Sequence, residues 1–106
     1  MPSSTFHHFG VPTNQTHDGE TYIEGGKVYA TSPEAHPYRV EFLRFDPDSP
    51  MHDAVRTCPH AAFMVDNLDA ALAGQNVIVA PFDATDTLRV AFIMDGDAVI
   101  ELMETK

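Results

Sequence analysis

The chain has 106 residues, of which 43% are hydrophobic, and this is enough for one compact domain with its own core. Six basic residues against sixteen acidic ones give a formal net charge of -10, which would repel a nucleic-acid backbone and excludes nucleic acid as an expected partner. No stretch approaches the roughly 20 apolar residues of a membrane span, so we expect no membrane contact. The sequence shows no signal-peptide pattern, and Cys58 has no second cysteine to pair with, so we expect a cytoplasmic protein.

Eight segments predict strands in chain order, because each is rich in β-branched and aromatic residues and is bounded by Gly, Pro, Asn or Asp. They cover residues 6–11, 21–24, 27–31, 38–45, 60–65, 76–80, 88–94 and 98–103. Gly25-Gly26 and Asp95-Gly96 are predicted hairpin turns, since glycine adopts a positive φ at little steric cost. Residues 13–20 are polar and turn-rich, and they predict a loop.

One helix is predicted, over residues 67–73. Asp66 would cap its first amides and Gly74 would end it, while Leu68, Ala71 and Leu72 would share one face. A weaker helical turn is predicted over residues 50–56, because a proline at the start and an acidic residue near it suit a first turn.

The sequence also contains an internal repeat, which is best recognised before any single motif is interpreted. His8 and His60 each open a predicted strand and are each followed, two positions later, by a small residue. Glu41 and Glu101 each lie inside a later strand that is otherwise apolar. The two halves therefore resemble one unit used twice, and a pseudo-twofold pair of such units would bring all four side chains to a shared axis.

A carboxylate inside an apolar strand is costly unless it is paired, protonated or bound to a metal. Two carboxylates and two imidazoles together suit a divalent ion such as zinc, nickel, manganese or iron. Taken singly, each glutamate would more often face solvent and each histidine would be an ordinary hydrogen-bonded residue. Because the pattern recurs in both halves, we predict a metal site formed by His8, Glu41, His60 and Glu101.

Two stretches of the second half carry a resemblance to a known family. They are His60-Ala-Ala-Phe-Met-Val-Asp-Asn-Leu-Asp-Ala-Ala-Leu and the segment from Arg89 to Glu104, which contains Glu101. The first half matches more loosely, through His8-Phe-Gly-Val and Glu41. Over nearly its whole length the chain resembles the vicinal oxygen chelate superfamily, which includes glyoxalase I, bleomycin-resistance proteins, extradiol dioxygenases and methylmalonyl-CoA epimerase.

The resemblance implies an α+β fold in which two paired βαβββ modules form a curved eight-stranded mixed sheet around a metal. Residues 1–106 would be a single glyoxalase-like domain, with module one at about 1–50, a linker at about 46–58 and module two at about 58–106. The metal ligands would come from the first and last strands of each module. The chain departs from the pattern in module one, whose helix is expected to be reduced or absent. His7 is expected on the opposite face of its strand from His8, since side chains alternate along a strand.

The implied activity is that of a divalent-metal-dependent lyase or isomerase. It would act on a small-molecule substrate with vicinal oxygens, through a metal-stabilised enediolate, with Glu41 or Glu101 as the general base. Arg39 is a predicted contact for a substrate anion, with a salt bridge at the rim of the site as the alternative. Three aromatic residues are predicted to line the pocket, with core packing as the alternative: Tyr29, Tyr38 and Phe92. A homodimer is the expected assembly.

Three other functions are compatible with the same residues. An extradiol dioxygenase would use His8, His60 and Glu101 around ferrous iron, but Glu41 would then fill a position that substrate or oxygen needs. A non-enzymatic protein of the antibiotic-resistance type would bind a small molecule in the cleft without metal chemistry. A purely structural metal would have four protein ligands and no open position.

Overall fold

The computed structural model describes residues 3–106. Its strands are β1 (Ser4–Pro12), β2 (Thr21–Ile23), β3 (Val28–Ala30), β4 (Val40–Phe45), β5 (His60–Val65), β6 (Asn76–Thr85), β7 (Leu88–Asp95) and β8 (Ala98–Thr105). Its helices are α1 (Asp53–Thr57) and α2 (Leu68–Leu72), and single 3-10 turns occupy Glu24–Gly26 and Pro33–Ala35. Within this part of the chain, no helix has the length and hydropathy needed to cross a membrane.

All eight strands belong to one sheet, in the order β2-β3-β4-β1-β5-β8-β7-β6, which curls into a half-barrel. β1 pairs with β4 and β5 pairs with β8 in parallel, while every other neighbouring pair is antiparallel. The predicted curved, mixed, eight-stranded sheet is therefore confirmed. Residues 13–20, between β1 and β2, contain no helix, as the sequence predicted.

Several element boundaries differ from the prediction for local reasons. β6 continues past Pro81, because an edge strand tolerates proline and the β6–β7 register shifts at that point. β4 begins only at Val40, since Arg39 has a positive φ of 57° and closes a turn onto the carbonyl of His36. Asn67, rather than Asp66, caps α2, because its side chain accepts a hydrogen bond from the amide of Ala70.

The two glycine turns also differ in detail. Glu24–Gly26 forms a 3-10 turn that ends at Lys27 in the left-handed region, instead of a two-residue hairpin loop. At the β7–β8 hairpin Asp95 pairs with Ala98, so the two loop residues are Gly96 and Asp97.

The sheet has two buried faces that alternate along each strand. On one, here called the site face, the core residues are Met51, Val55, Ala62, Val90, Phe92, Val99 and Met103. On the other, here called the helix face, α2 covers a core of Val65, Leu68, Ala91, Ile93 and Leu102. A third cluster, Val28, Ala30 and Leu43, extends the core into the first half of the chain.

Candidate metal centre

Four adjacent strands at the middle of the sheet carry the predicted quartet. In the antiparallel β1–β5 pair, His8 lies opposite Ala62 and His60 lies opposite Gly10. In the parallel pairs, Gly10 lies beside Glu41 and Ala62 lies beside Glu101. In each half, the glutamate is therefore aligned with the residue two positions after the histidine, so all four side chains point to the site face.

The structure brings the four side chains into direct contact. One potential ligand atom from each of them lies within 4.8 Å of all the others. His8 Nε2 is 3.1 Å from Glu41 Oε1 and 3.3 Å from Glu101 Oε1, and His60 Nε2 is 2.9 Å from the same oxygen of Glu101. Both histidines are 2% exposed and Glu101 is 7% exposed, whereas Glu41 is half-buried. Glu101 thus bridges the two histidines, while Glu41 contacts only one.

The small residues of the repeat have a steric role. A Cβ atom added to Gly10 would overlap Cε1 of His60, because the imidazole ring lies directly over this glycine. A side chain at position 10 would therefore displace His60 from the site. The corresponding residue of the second half, Ala62, is fully buried opposite His8.

Charge pairing shifts the pKa values of His8 and Glu101. Burial lowers the pKa of His8, but the carboxylates of Glu101 and Glu41 outweigh it and raise this pKa to about 9. Burial raises the pKa of Glu101, but contact with His60 and His8 outweighs it and the pKa falls below its usual range. The protein alone therefore favours a protonated His8 beside an ionised Glu101.

The donor set fits a divalent metal. His8 Nε2 is buried 3.1 and 3.3 Å from two carboxylate oxygens, but among the described residues it is aligned for a hydrogen bond with neither. A buried polar atom is rarely left without a partner, and a nitrogen that coordinates an ion needs none. Two imidazole nitrogens and two carboxylate oxygens suit zinc, nickel, manganese or ferrous iron. The quartet can therefore hold a metal ion.

Two clefts meet at the quartet. The first, here called the apolar cleft, is largely apolar, and its walls include Phe45, Met51, Val55, Phe82, Val90 and Phe92. The second, here called the polar cleft, has polar side chains from His7, Thr21, Thr31, Ser32, Glu34 and Thr85, although apolar residues such as Ile23, Leu88 and Met103 supply most of its wall. Glu41 and Glu101 border both clefts, and neither wall contains a lysine or arginine.

Only one of the predicted pocket residues lines these clefts. The ring of Phe92 borders the apolar cleft, with its centroid 5.2 Å from that of His60. Tyr29 lies between the buried residues Val28 and Ala30 on β3, so its side chain faces the opposite side of the sheet from theirs. There its ring lies under the guanidinium of Arg44. Tyr38 is 80% exposed in the turn before β4. Both tyrosines therefore lie outside the walls of the two clefts.

Arg39 also lies outside both clefts. Its backbone precedes β4, and its guanidinium donates a hydrogen bond to the carbonyl of His7 and lies 3.9 Å from Glu34. Its guanidinium therefore lies at the rim, in contact with two residues that line the polar cleft, and it forms the salt bridge that the sequence left open as the alternative role.

Sequence reasoning missed His7. The β1–β5 register shifts between Phe6 and His8, so the alternation of side chains is interrupted there. His7 consequently lines the polar cleft, with Nδ1 2.8 Å from Nδ1 of His8, instead of facing the opposite side of the sheet. Two consecutive histidines were visible in the sequence, but the bulge that turns them to one side depends on pairing with β5.

Compared with models of protein families and with curated proteins, the sequence gives no match.

Proposed function

We propose that this protein is a divalent-metal-dependent lyase or isomerase of the glyoxalase-like type, acting on a small substrate with two adjacent oxygens. The observation that carries the proposal is the convergence of the quartet, in which one potential ligand atom from each of the four side chains lies within 4.8 Å of all the others at a largely buried position. Two imidazole nitrogens and two carboxylate oxygens that converge in this way form a donor set that suits a divalent ion.

The strand arrangement supports two paired modules, as in the vicinal oxygen chelate superfamily. Outward from the β1–β5 pair, the neighbours are β4, β3 and β2 on one side and β8, β7 and β6 on the other. The parallel pairs β1–β4 and β5–β8 also have matching registers around their histidine and glutamate. We therefore propose that the half-barrel consists of two modules related by a pseudo-twofold axis, with a metal on that axis.

In this proposal a bound divalent metal would supply Lewis acidity toward the two substrate oxygens. Glu101 serves mainly as a fixed ligand, because it contacts both histidines and is the more buried carboxylate, with 10% of its side chain exposed. Glu41 is the better general base, since its side chain is 15% exposed and contacts His8 alone. Its carboxylate borders both clefts and can accept a proton from a carbon held beside the metal.

The cleft walls also indicate the kind of substrate. With no lysine or arginine in either wall, and with acidic side chains at their junction, an anionic substrate would have no partner there. The apolar cleft would hold a hydrocarbon group, while the polar cleft would admit hydroxyl or carbonyl groups. We propose neutral hydroxyketones, 2-oxoaldehyde adducts and sugars as the compounds to screen.

A second function is favoured by the apolar cleft itself. Its aromatic and aliphatic walls suit a hydrophobic small molecule, so a non-enzymatic binding protein would use the same surface. The two functions differ in their need for the metal. An enzyme would lose turnover when the metal is removed, whereas a binding protein would keep its ligand.

The test is metal stoichiometry and affinity, measured by elemental analysis and calorimetry on the wild type and on Glu101→Gln, Glu41→Gln and Glu24→Gln. We expect one metal per chain, a larger loss of affinity in Glu101→Gln than in Glu41→Gln, and no change in Glu24→Gln, which removes an exposed carboxylate that belongs neither to the quartet nor to the walls of the clefts. Metal-loaded Glu41→Gln should then lose turnover of any substrate found in the screen.

Each part of the proposal has its own contrary outcome. A wild-type protein that binds none of zinc, nickel, manganese and iron would overturn the metal site and the enzyme together. Metal binding without metal-dependent turnover of the screened compounds, together with metal-independent binding of apolar ligands, would favour the binding protein. Full turnover in Glu41→Gln would reject Glu41 as the base.

A further inference from the structure

A chain of polar side chains leads from the surface to the quartet through His7. Glu34 Oε1 lies 3.3 Å from His7 Nε2, and His7 Nδ1 lies 2.8 Å from His8 Nδ1. Glu34 is exposed in the 3-10 turn Pro33–Ala35, His7 lines the polar cleft, and His8 is buried in the site. The three side chains thus form one continuous path of contacts.

Metal binding would fix the direction of every hydrogen bond along this path. A neutral histidine carries one N–H, so coordination through Nε2 of His8 leaves the proton on its Nδ1. That N–H can then donate to Nδ1 of His7, which must accept with its lone pair. The proton of His7 is consequently on Nε2, where it donates to the carboxylate of Glu34.

We infer that His7 and Glu34 are positioning residues that hold His8 in the tautomer and orientation required for coordination through Nε2. This inference rests on the proposed metal-binding function and extends it to two residues outside the quartet. A histidine ligand with a hydrogen-bonded second nitrogen is a better metal ligand, because its ring is oriented and its basicity is raised.

The bulge in β1 is what makes the path. A regular strand would place consecutive side chains on opposite faces of the sheet, but the register shift between Phe6 and His8 brings His7 to the side of His8. Arg39 reinforces the arrangement, since its guanidinium donates to the carbonyl of His7.

The second half of the chain lacks an equivalent support. Nδ1 of His60 is buried and has no hydrogen-bond partner among residues 3–106, although its Nε2 contacts Glu101. The support is therefore specific to His8, and loss of His7 should change one ligand and leave the other in place.

The experiment measures the zinc dissociation constant, by competition with a chromophoric chelator, for the wild type and four variants. Outer contacts of this kind contribute about 10- to 100-fold to metal affinity, so His7→Ala should weaken zinc binding by that factor and Glu34→Gln by less. His7→Asn should stay within about threefold of the wild type, because its Oδ1 can accept in place of Nδ1. Glu24→Gln is the matched control for Glu34→Gln, since each variant removes one exposed carboxylate from a three-residue 3-10 turn.

A second readout separates positioning from general destabilisation. In the zinc-loaded, nitrogen-15-labelled wild type, NMR should show a protected Nδ1–H on His8, and His7→Ala should lose that protection while keeping the melting temperature of the metal-free protein close to the wild type. If His7→Ala does not fold, His7→Asn and Glu34→Gln still carry the test.

The outcomes distinguish this inference from the proposed function. The positioning role alone would be overturned if the wild type bound zinc and His7→Ala bound it with equal affinity. It would also be overturned if His8 of the zinc-loaded wild type carried its proton on Nε2. A wild type that binds no zinc, nickel, manganese or iron would overturn the metal site, and the positioning role with it.

Discussion

The two halves of the sheet supply the same pair of side chains, a histidine and a glutamate, to the quartet but support them differently. Beyond β5, the second half continues into strands of eight to ten residues and the helix α2. Beyond β1, the first half has two strands of only three residues, and residues 13–20 contain no helix. The registers around the quartet nevertheless match. The position of the quartet is therefore set by the four central strands, and the outer elements can vary.

The helix face shows the same contrast. In the second half, Leu68 of α2 is fully buried against Val65, Ala91, Ile93 and Leu102. In the first half, a loop takes the place of the helix, and the ring of His17 stacks on Phe42 at a centroid distance of 4.1 Å. The loop also places Glu20 2.8 Å from Arg44. A few polar and aromatic contacts thus replace an apolar helix face.

The largest expected effect tests this contrast through stability. Leu68→Ala should lower the free energy of unfolding by about 2–5 kcal/mol, because it leaves a cavity in a closed apolar cluster. His17→Ala, which removes one aromatic contact at a half-buried position, should cost about 0.5–1.5 kcal/mol. Urea unfolding of the metal-free proteins measures both. Equal losses in the two variants would show that the loop of the first half stabilises the fold as much as α2 does.

The sequence was sufficient to predict the parts of the molecule that repeat. The eight strands, the absence of a helix over residues 13–20 and the meeting of His8, Glu41, His60 and Glu101 all follow from periodicity and from the spacing of the two halves. A repeated pattern is informative because a buried carboxylate has few stable environments. Two independent occurrences of it point to the same site.

Features that depend on pairing between distant strands could not be predicted. The side of the sheet that His7 faces is set by a register shift against β5. The position of Arg39 depends on a positive φ that closes a turn before β4. The continuation of β6 beyond Pro81 depends on its place at the sheet edge. None of these is a property of the local sequence alone.

A smaller effect should follow from the residues opposite the two histidines. His8 faces an alanine across the β1–β5 pair, whereas His60 faces Gly10. Gly10→Ala should cost about 1–3 kcal/mol of stability by overpacking, because the new Cβ would overlap a buried ring that also packs against Phe92. It should also weaken metal binding, since His60 must move away from Glu101.

Gly25→Ala is the control for that substitution. Its added Cβ would first meet a ring carbon of Phe82, at 3.3 Å, outside the quartet. Calorimetric metal titration and thermal melting of the two variants give the comparison. Wild-type metal affinity in Gly10→Ala would mean that the ring of His60 is not held in place by its contact with the β1 backbone.

The last expected effect is a pH dependence that belongs to the His8 side of the site. The pKa of His8 is raised to about 9 from an ordinary value of 6.5. Because the folded-state pKa is the higher one, protonated His8 stabilises the metal-free protein fully below pH 6.5, and this contribution is lost as the pH rises through about 9. A metal ion must displace the same proton.

Metal affinity should therefore rise with pH where stability from His8 falls. If one proton is displaced, the metal affinity should rise about tenfold per pH unit below the pKa. Zinc titrations between pH 6.5 and pH 8.5 measure this slope, and titrations in buffers of different ionisation enthalpy measure the proton release. Glu41→Gln removes one of the two carboxylates that raise the pKa of His8, so its affinity should level off at a lower pH than that of the wild type. An affinity that does not change with pH would mean that metal binding displaces no proton from His8. An unchanged pH profile in Glu41→Gln would mean that Glu41 does not raise the pKa of His8.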